Sequence, residues 1–528
     1  MAKRSKKIIV TSLVMALFVS ILAACTDNDA GGTSPLPETT VSTETQAAHY
    51  KSDNVFSLNC NKDSGFNPYT TTNASNLLCT QLMYDTLFEL DDNFAVTPNL
   101  ISSYKSEDGK SWFFYVDNSI QFWDGSTLTA HDAAYSLQRA IRSSEYSSRL
   151  SCVFGVTAVD DNLFLVTLNY PDMMFPSLLN IPVIKYGSVG DTAPMGTGPY
   201  MPDDGLTMLT AFSGHKNYSS LPVDKIYLKE YKNADEIITA YENSDIDLVT
   251  NDPTGSFSLG YGTANDVRYY PTTNMQYLGF NSKSGFFSNS ACRKAMTYVV
   301  DREHIATALM GGAAVAATLP MNPVCALYNN AYSDIISYSV KNSENAFNDA
   351  NVKDYDNDGK REIMVTGIPV EIYINFIVCS DSSEKIAAAR SIADNLVNLG
   401  ITVNLRELSW NDYLAALKNG DFDMYYADTM MTADFSLRGL LFSNGSLNYG
   451  KFSDSTLEQY ISDYLVSPTD DHQKAADFMF KYITDNAPIV TVCFEKQQVI
   501  THRGAVSGME PTKYNIFHGI EKWQITAS

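Results

Sequence analysis

Residues 369–428 change hydrophobic period repeatedly, and few folds accept that order of changes. Val370, Ile372, Ile374 and Phe376 alternate at the spacing of two that a half-buried strand needs. Asp381 then stands where a helix cap belongs, with Glu384 three residues on at the returning position of a capping box. Ile386, Ala389, Ala393, Leu396 and Leu399 recur every three or four residues, and Gly400 ends the run. Alternation resumes at Ile401, Val403 and Leu405. A strand, a helix and a strand of these lengths form a crossover unit, which makes the two strands parallel. A second helix from about Trp410 to Lys418, stopped by Gly420, and a third strand over 422–427 extend the unit. The expected class is α/β. Open sheets of this kind bind ligands at the carboxyl ends of their strands, and Asp428 stands at such an end. Aspartate is also a common turn residue, so position alone leaves both readings open.

A second informative stretch is 108–142. Asp108-Gly109 signals a turn, Ser111–Val116 alternates and is rich in aromatics, and residues 120–123 form another apolar patch closed by Asp124-Gly125. The spacing predicts a hairpin or meander. Thr129 and Asp132 then predict a capped helix, with Ala133, Leu137, Ala140 and Ile141 at helical spacing.

These units cannot account for the whole chain. At roughly 100–200 residues per domain, 528 residues imply about three domains. With 45% hydrophobic and 18% charged residues the composition is globular, which excludes wholesale disorder. Lys and Arg number 37 against 60 Asp and Glu, a balance of −23 that argues against a nucleic-acid partner.

The N-terminus sets the compartment. Lys3, Arg4, Lys6 and Lys7 precede residues 8–24, which carry no charge and close on Leu22-Ala23-Ala24-Cys25. This is a secretory signal with a small-residue cleavage site. It resembles a bacterial lipoprotein signal, which implies that residues 1–24 are removed and Cys25 is lipidated as the mature N-terminus. An ordinary signal peptide or an anchor helix is the alternative. Residues 25–49 are rich in Thr, Ser, Ala, Gly, Pro and Glu without an apolar period, and read as a flexible tether. The body is expected outside the cytoplasm, anchored to the cell membrane by lipid, at the cell surface or in the periplasm.

Several chemistries lack their motifs. There is no H-E-x-x-H, G-x-S-x-G or phosphate-binding loop, and the seven histidines show no i, i+4 pairing. Seven cysteines follow Cys25 without C-x-x-C spacing, so free buried thiols are the plainer reading and some disulfide pairing the other. Asp354, Asp356, Asp358 and Gly359 match the first half of a calcium loop, but its twelfth position is Val365. The loop reads as a solvated acidic turn, and no metal or cofactor is expected.

Four blocks in order carry a resemblance. They are Tyr84-Asp-Thr-Leu-Phe88 through Trp112 and Phe122-Trp-Asp124-Gly125 to Thr129-Ala130-His-Asp132; Gly196-Thr-Gly-Pro-Tyr200; Tyr277-Leu-Gly-Phe-Asn281 with Arg293-Lys-Ala295 and Asp301-Arg302; and Tyr426-Ala-Asp428 with Asn448-Tyr449. Together they resemble the bacterial family 5 solute-binding proteins, the oligopeptide and dipeptide receptors of ABC importers. The resemblance implies a two-lobed periplasmic-binding-protein fold with three domains and a hinge. Domain I would comprise 50–72, 196–284 and 498–528, domain II 73–195 and domain III 285–497, with the chain crossing between lobes near 281–288 and 494–500. It implies a monomer that binds a peptide or similar small solute, delivers it to ABC permease subunits in the membrane, and catalyses nothing.

The resemblance also implies roles. Asp428 would hold a peptide ammonium, with Tyr426 beside it. Asn251 would bond a ligand backbone, and Asn448, Tyr449 and Trp410 would border the cleft. Asn251 has an equal claim as a turn residue before Asp252-Pro253, and Trp410 as packing. The segment after Asp428 departs from the family pattern: Thr429-Met430-Met431-Thr432-Ala433-Asp434 lacks the usual aromatic and Asp-Pro. Methionines there suit an adaptable pocket or a core. Other readings are a binder of a non-peptide solute such as a sugar, haem, an opine or a metal chelate, an extracytoplasmic lipoprotein hydrolase, and a surface adhesion or signalling lipoprotein.

Overall fold

The computed structural model describes residues 56–254, 264–283 and 285–526. The signal segment, Cys25 and the tether lie outside the described residues. Among the described residues no helix is long and apolar enough to cross a membrane.

The crossover unit organises one half of the molecule. Tyr373–Cys379 and Thr402–Leu408 are parallel neighbours, joined by the helix Ser383–Asn398. Met424–Met430 lies on the other side of Tyr373–Cys379, again parallel, after the helix Trp410–Asn419. Gly420 ends that helix in the left-handed region at φ 71°, where a side chain would be strained.

Three expected boundaries move. The alternation over 370–376 is divided: Ile368–Glu371 turns back on Glu362–Val365 as an exposed hairpin, and the sheet strand begins at Tyr373. The cap of Ser383–Asn398 is Ser382, whose hydroxyl accepts from the Lys385 N–H at 3.2 Å, and not Asp381. The third strand runs on past 427 to Met430, so Asp428 sits within it.

The sheet continues beyond this unit. Asn265–Phe280 pairs antiparallel with Met424–Met430 and then with the long strand Ile489–His502, which carries Leu248–Asn251 at its far edge and Ala314–Ala316 off the main path. Alternate residues feed two cores: Leu278, Phe280, Met424 and Phe376 on one face, Met275, Tyr277, Tyr425 and Ile377 on the other. Helices pack on both faces of this mixed sheet, so its central strands bury side chains on both sides.

The second half has its own core, built on two four-stranded sheets. One orders Phe56–Cys60, Lys225–Glu230, Met208–Ala211 and Tyr200–Pro202. The other orders Ile101–Lys105, Ser111–Val116, Leu163–Leu168 and Val153–Ala158. Ser111–Val116 thus pairs with Ile101–Lys105 and Leu163–Leu168. The patch at 120–123 is not its hairpin partner: it folds on itself through a Gln121–Thr127 bridge. The helix Ala130–Ala140 follows as expected, with Asp132 accepting from the Thr129 N–H at 2.9 Å.

The two halves meet along Asn265–Phe280 and Ile489–His502. Tyr270 and Val499 belong to the second core, Met275 and Phe494 to the first half. The register between these strands shifts between Pro271 and Met275, at the point where core membership changes. All seven cysteines after Cys25 are free thiols, five of them buried.

Several motif residues prove to be scaffold. A Cβ on Gly196 or Gly198 would lie 2.5 Å from the Met83 carbonyl oxygen, so only glycine allows that backbone approach. Arg293 donates to the Phe287, Asn486 and Ala487 carbonyls, and Arg302 to the Thr297 and Thr491 carbonyls. Both guanidiniums satisfy backbone oxygens that would otherwise be buried without a partner.

Candidate functional site

The strand Met424–Met430 outruns its parallel neighbour, which stops at Cys379. The chain turns there through 380–382 into the helix Ser383–Asn398, whose first turn carries Lys385. This places the Lys385 ammonium 2.6 Å from Asp428 Oδ1, with the two side chains 20% and 42% exposed. The pair stands on the wall of a cavity of about 370 Å³ that Trp410, Tyr413, Tyr426, Tyr449 and Glu495 also border.

A polar network backs this wall. Gln276 lies directly across from Asp428 in the sheet. Its amide donates to Glu495 Oε1 at 2.6 Å, and Asn274 donates to Oε2 at 3.1 Å. Tyr426 donates to the Gln276 oxygen at 2.5 Å, and Tyr413 donates to the Tyr426 carbonyl at 2.7 Å. Glu495 is 4% exposed. Burial pushes its carboxyl up, against the pull of its two amide donors; Asp428 adds to the rise and Lys385 opposes it.

The structure brings Asp428, Tyr426, Trp410 and Tyr449 to one cavity and leaves two expected residues out of it. Asn251 ends the strand Leu248–Asn251 and donates to the Gln498 side chain at 3.0 Å, while its neighbour Asp252 borders the cavity. Asn448 ties a loop together, donating to the Phe442 and Phe452 carbonyls and accepting from the Phe452 N–H. Lys385 and Glu495 were not anticipated. Lys385 could have been found from its place one turn into a helix that follows the neighbouring strand. Glu495 gave no local signal, since its position depends on pairing across more than 200 residues.

The acidic loop lies at the surface. Asp354, Asp356 and Asp358 are exposed, and the 359 and 358 N–H groups donate back to Asp354 at 3.0 and 3.2 Å. The fourth carboxylate is Glu362, three residues short of the position where Val365 stands, and ligand atoms of all four lie within 4.8 Å of one another. These are the residues that could jointly hold a hard cation.

The geometry is that of a cleft bordered by charge, aromatic rings and strand ends. Heme-binding protein A of Haemophilus influenzae is 24% identical over 458 residues, covering 78% of this chain and 79% of that protein. The periplasmic oligopeptide-binding protein OppA of Salmonella typhimurium is 23% identical, covering 72% and 75%. The unliganded open form of MppA, a periplasmic murein tripeptide binding protein, shares the fold at a TM-score of 0.74 with 16% identity, covering 90% and 98%. All three are binding proteins by name, and the shared fold is the two-lobed periplasmic-binding-protein architecture. The sequence profile of the bacterial extracellular solute-binding proteins, family 5 (middle region), matches residues 95–447, more than half the length, and the chain belongs to that family.

Proposed function

We propose that this protein is a lipid-anchored receptor, tethered through Cys25 to the outer face of the cell membrane, that captures a peptide between its lobes and hands it to an ABC permease. The observation that carries the reading is Asp428, which faces a 370 Å³ cavity with Lys385 as its neighbouring cation. A carboxylate has two oxygens and about four acceptor sites, so a peptide ammonium can join Lys385 there. A charge-assisted bond of this kind contributes about 1.5–3 kcal/mol. A ligand touching both lobes would favour the closed form, and the register shift between Pro271 and Met275 is where we place the hinge.

The three-domain division belongs to this proposal: 50–72, 196–284 and 498–528 as domain I, 73–195 as domain II and 285–497 as domain III. Core membership supports moving the crossing to 271–275 and 494–499. The receptor acts as a monomer.

Calorimetric titration with tri-alanine tests the reading. Asp428→Asn should bind at least tenfold more weakly with little change in melting temperature, because a partly exposed ion pair contributes only about 0–1 kcal/mol. Equal affinity for the two proteins would remove Asp428 from the site. Tighter binding of N-acetylated tri-alanine would favour a non-peptide solute, for which Trp410, 55% exposed at the cavity edge, offers a stacking platform. Cys25→Ser should release the protein from the membrane fraction.

A further inference from the structure

We infer that Asp354, Asp356, Asp358 and Glu362 form a calcium site, separate from the cavity at Asp428 and independent of any cargo.

One oxygen from each of these four carboxylates lies within 4.8 Å of the other three. Calcium takes oxygen ligands at about 2.3–2.6 Å, so oxygens on opposite sides of the ion stand about 4.6–5.2 Å apart. The four groups therefore fit on one coordination shell as they stand.

Three exposed aspartates would carry no inference by themselves, because water solvates them. Glu362 is different: it is 4% exposed. Its Oε2 accepts from the Tyr355 N–H at 2.8 Å, and no other donor reaches this carboxylate among the described residues. A carboxylate has about four acceptor sites, so most of this one is unfilled while three like charges surround it. Buried charges are paired or coordinate metals. Glu362 opens the strand Glu362–Val365, pairing with Glu371 on one side and bridging to Lys353 on the other, which fixes it beside the loop.

The chain's own cations could have filled this place and do not. Lys353, Lys360 and Arg361 flank or interrupt the loop, yet among the described residues none is within ion-pair distance of the four carboxylates. Lys360 pairs with Glu371 at 2.8 Å. Arg361 donates to the Leu399 and Val352 carbonyls, both at 2.7 Å, and to the Asn348 side chain at 2.8 Å. Four carboxylates thus share one small volume while three cations are held elsewhere. A divalent ion supplies the missing charge.

The donor set selects calcium. Carboxylate oxygens suit hard cations and not thiophilic ones. Magnesium requires a tighter octahedron, about 4.1 Å across, and keeps several waters, whereas calcium accepts many protein oxygens in a flexible loop. Counted from Asp354, Glu362 is ninth, a donor position in calcium loops, and it takes over from the twelfth, where Val365 offers nothing. The seventh residue, Lys360, would give a carbonyl, and that carbonyl accepts no hydrogen bond from the described residues. Bound there, calcium fastens the loop to Glu362–Val365 and braces the hairpin with Ile368–Glu371.

The test is calorimetric titration of the EDTA-treated protein with calcium chloride, together with melting curves. Wild type should bind one calcium ion with a dissociation constant below about 1 mM, and magnesium chloride about tenfold more weakly or worse. It should melt at a higher temperature in about 5 mM calcium than in EDTA. Asp356→Asn keeps an oxygen for the Asp358 N–H, which Asp356 accepts at 3.2 Å, and Glu362→Gln keeps one for Tyr355. Each should weaken calcium by about tenfold or more and lose the calcium-dependent rise in melting temperature. Asp356→Asn should melt like wild type in EDTA, so it decides alone if Glu362→Gln fails to fold. Absence of both calcium heat and a melting shift overturns the site. Calcium binding unchanged in the variants places the ion elsewhere and overturns it too, and magnesium binding as tight as calcium overturns the choice of metal.

Discussion

The cavity at Asp428 and a second one of about 310 Å³, bordered by Met430, are walled in opposite ways. The first is carried by paired strands and the helices that follow them. Its acids, Asp252, Asp381, Asp428 and Glu495, outnumber its one cation, Lys385, and Glu495 is fully hydrogen-bonded within a network. The second takes Arg149, Lys513 and Tyr514 from irregular segments; three acids, Asp85, Glu89 and Glu145, line it as well, but among the described residues none lies within ion-pair distance of its two cations. Polar groups of the first wall therefore support the fold, whereas cations of the second work against it. Stability measurements separate these roles without any ligand.

The largest effect is expected at the first wall. Gln276→Leu removes the 2.6 Å donor to Glu495 and the acceptor of the Tyr426 hydroxyl, all of them buried. Leaving a buried carboxylate and a phenol short of partners should destabilise by about 2–3 kcal/mol. Urea unfolding should show a lower midpoint with an unchanged slope. Unchanged stability would mean that water already serves Glu495, and the contrast between the walls would lose its basis.

A smaller effect is expected where the halves touch beyond both cavities. Asp172 and Asp434 come from different halves, are 1% and 3% exposed, and flank the contact at which the Met173 N–H donates to the Leu465 carbonyl at 2.7 Å. Burial raises both carboxyls above the ordinary 3.8, and the charge of Asp434 raises Asp172 further; Arg438 opposes this. The folded protein thus binds more protons here than the unfolded chain. The resulting stability is fully present below about pH 4 and is lost as pH rises through the raised values. Asp172→Asn keeps an oxygen for the Met174 N–H, which Asp172 accepts at 2.8 Å, and removes the repulsion. It should stabilise by about 1 kcal/mol at pH 7, with the gain vanishing near pH 4. Melting curves across that range check it, and a gain that grew toward acid would reverse the assignment.

What could be read beforehand follows the same division. The crossover unit was legible because periods of two and 3.6 are local, as were the Thr129 cap and the stop at Gly420. The misplaced boundaries at 370–376 and Ser382 are local too: a hairpin strand and a sheet strand share one alternation, and Ser382 competes with Asp381 as a cap. Asn251 and Asn448 failed to reach the cavity because an asparagine at a strand end or in a loop finds a partner of its own. Glu495, Arg149 and Lys513 were invisible because their neighbours are set by sheet order and lobe contact.

The smallest effect tests the second wall and has the opposite sign to the first. Lys513→Met replaces a partly buried ammonium, crowded by Arg149, with an apolar side chain of similar length. Because its pKa falls to about 8 from 10.5, the unfolded chain binds the proton more tightly than the folded one. Wild-type stability should therefore rise with pH between about 8 and 10.5, and below 8 the full penalty should remain. Partial exposure screens that penalty, so Lys513→Met should stabilise by at most about 1 kcal/mol at pH 7, with the difference fading as pH approaches 10. Gln276→Leu and Lys513→Met would then shift the unfolding midpoint in opposite directions at neutral pH. If Lys513→Met instead destabilises at pH 7, the lysine contributes through packing of its stem, and its charge is not the strained element of the second cavity.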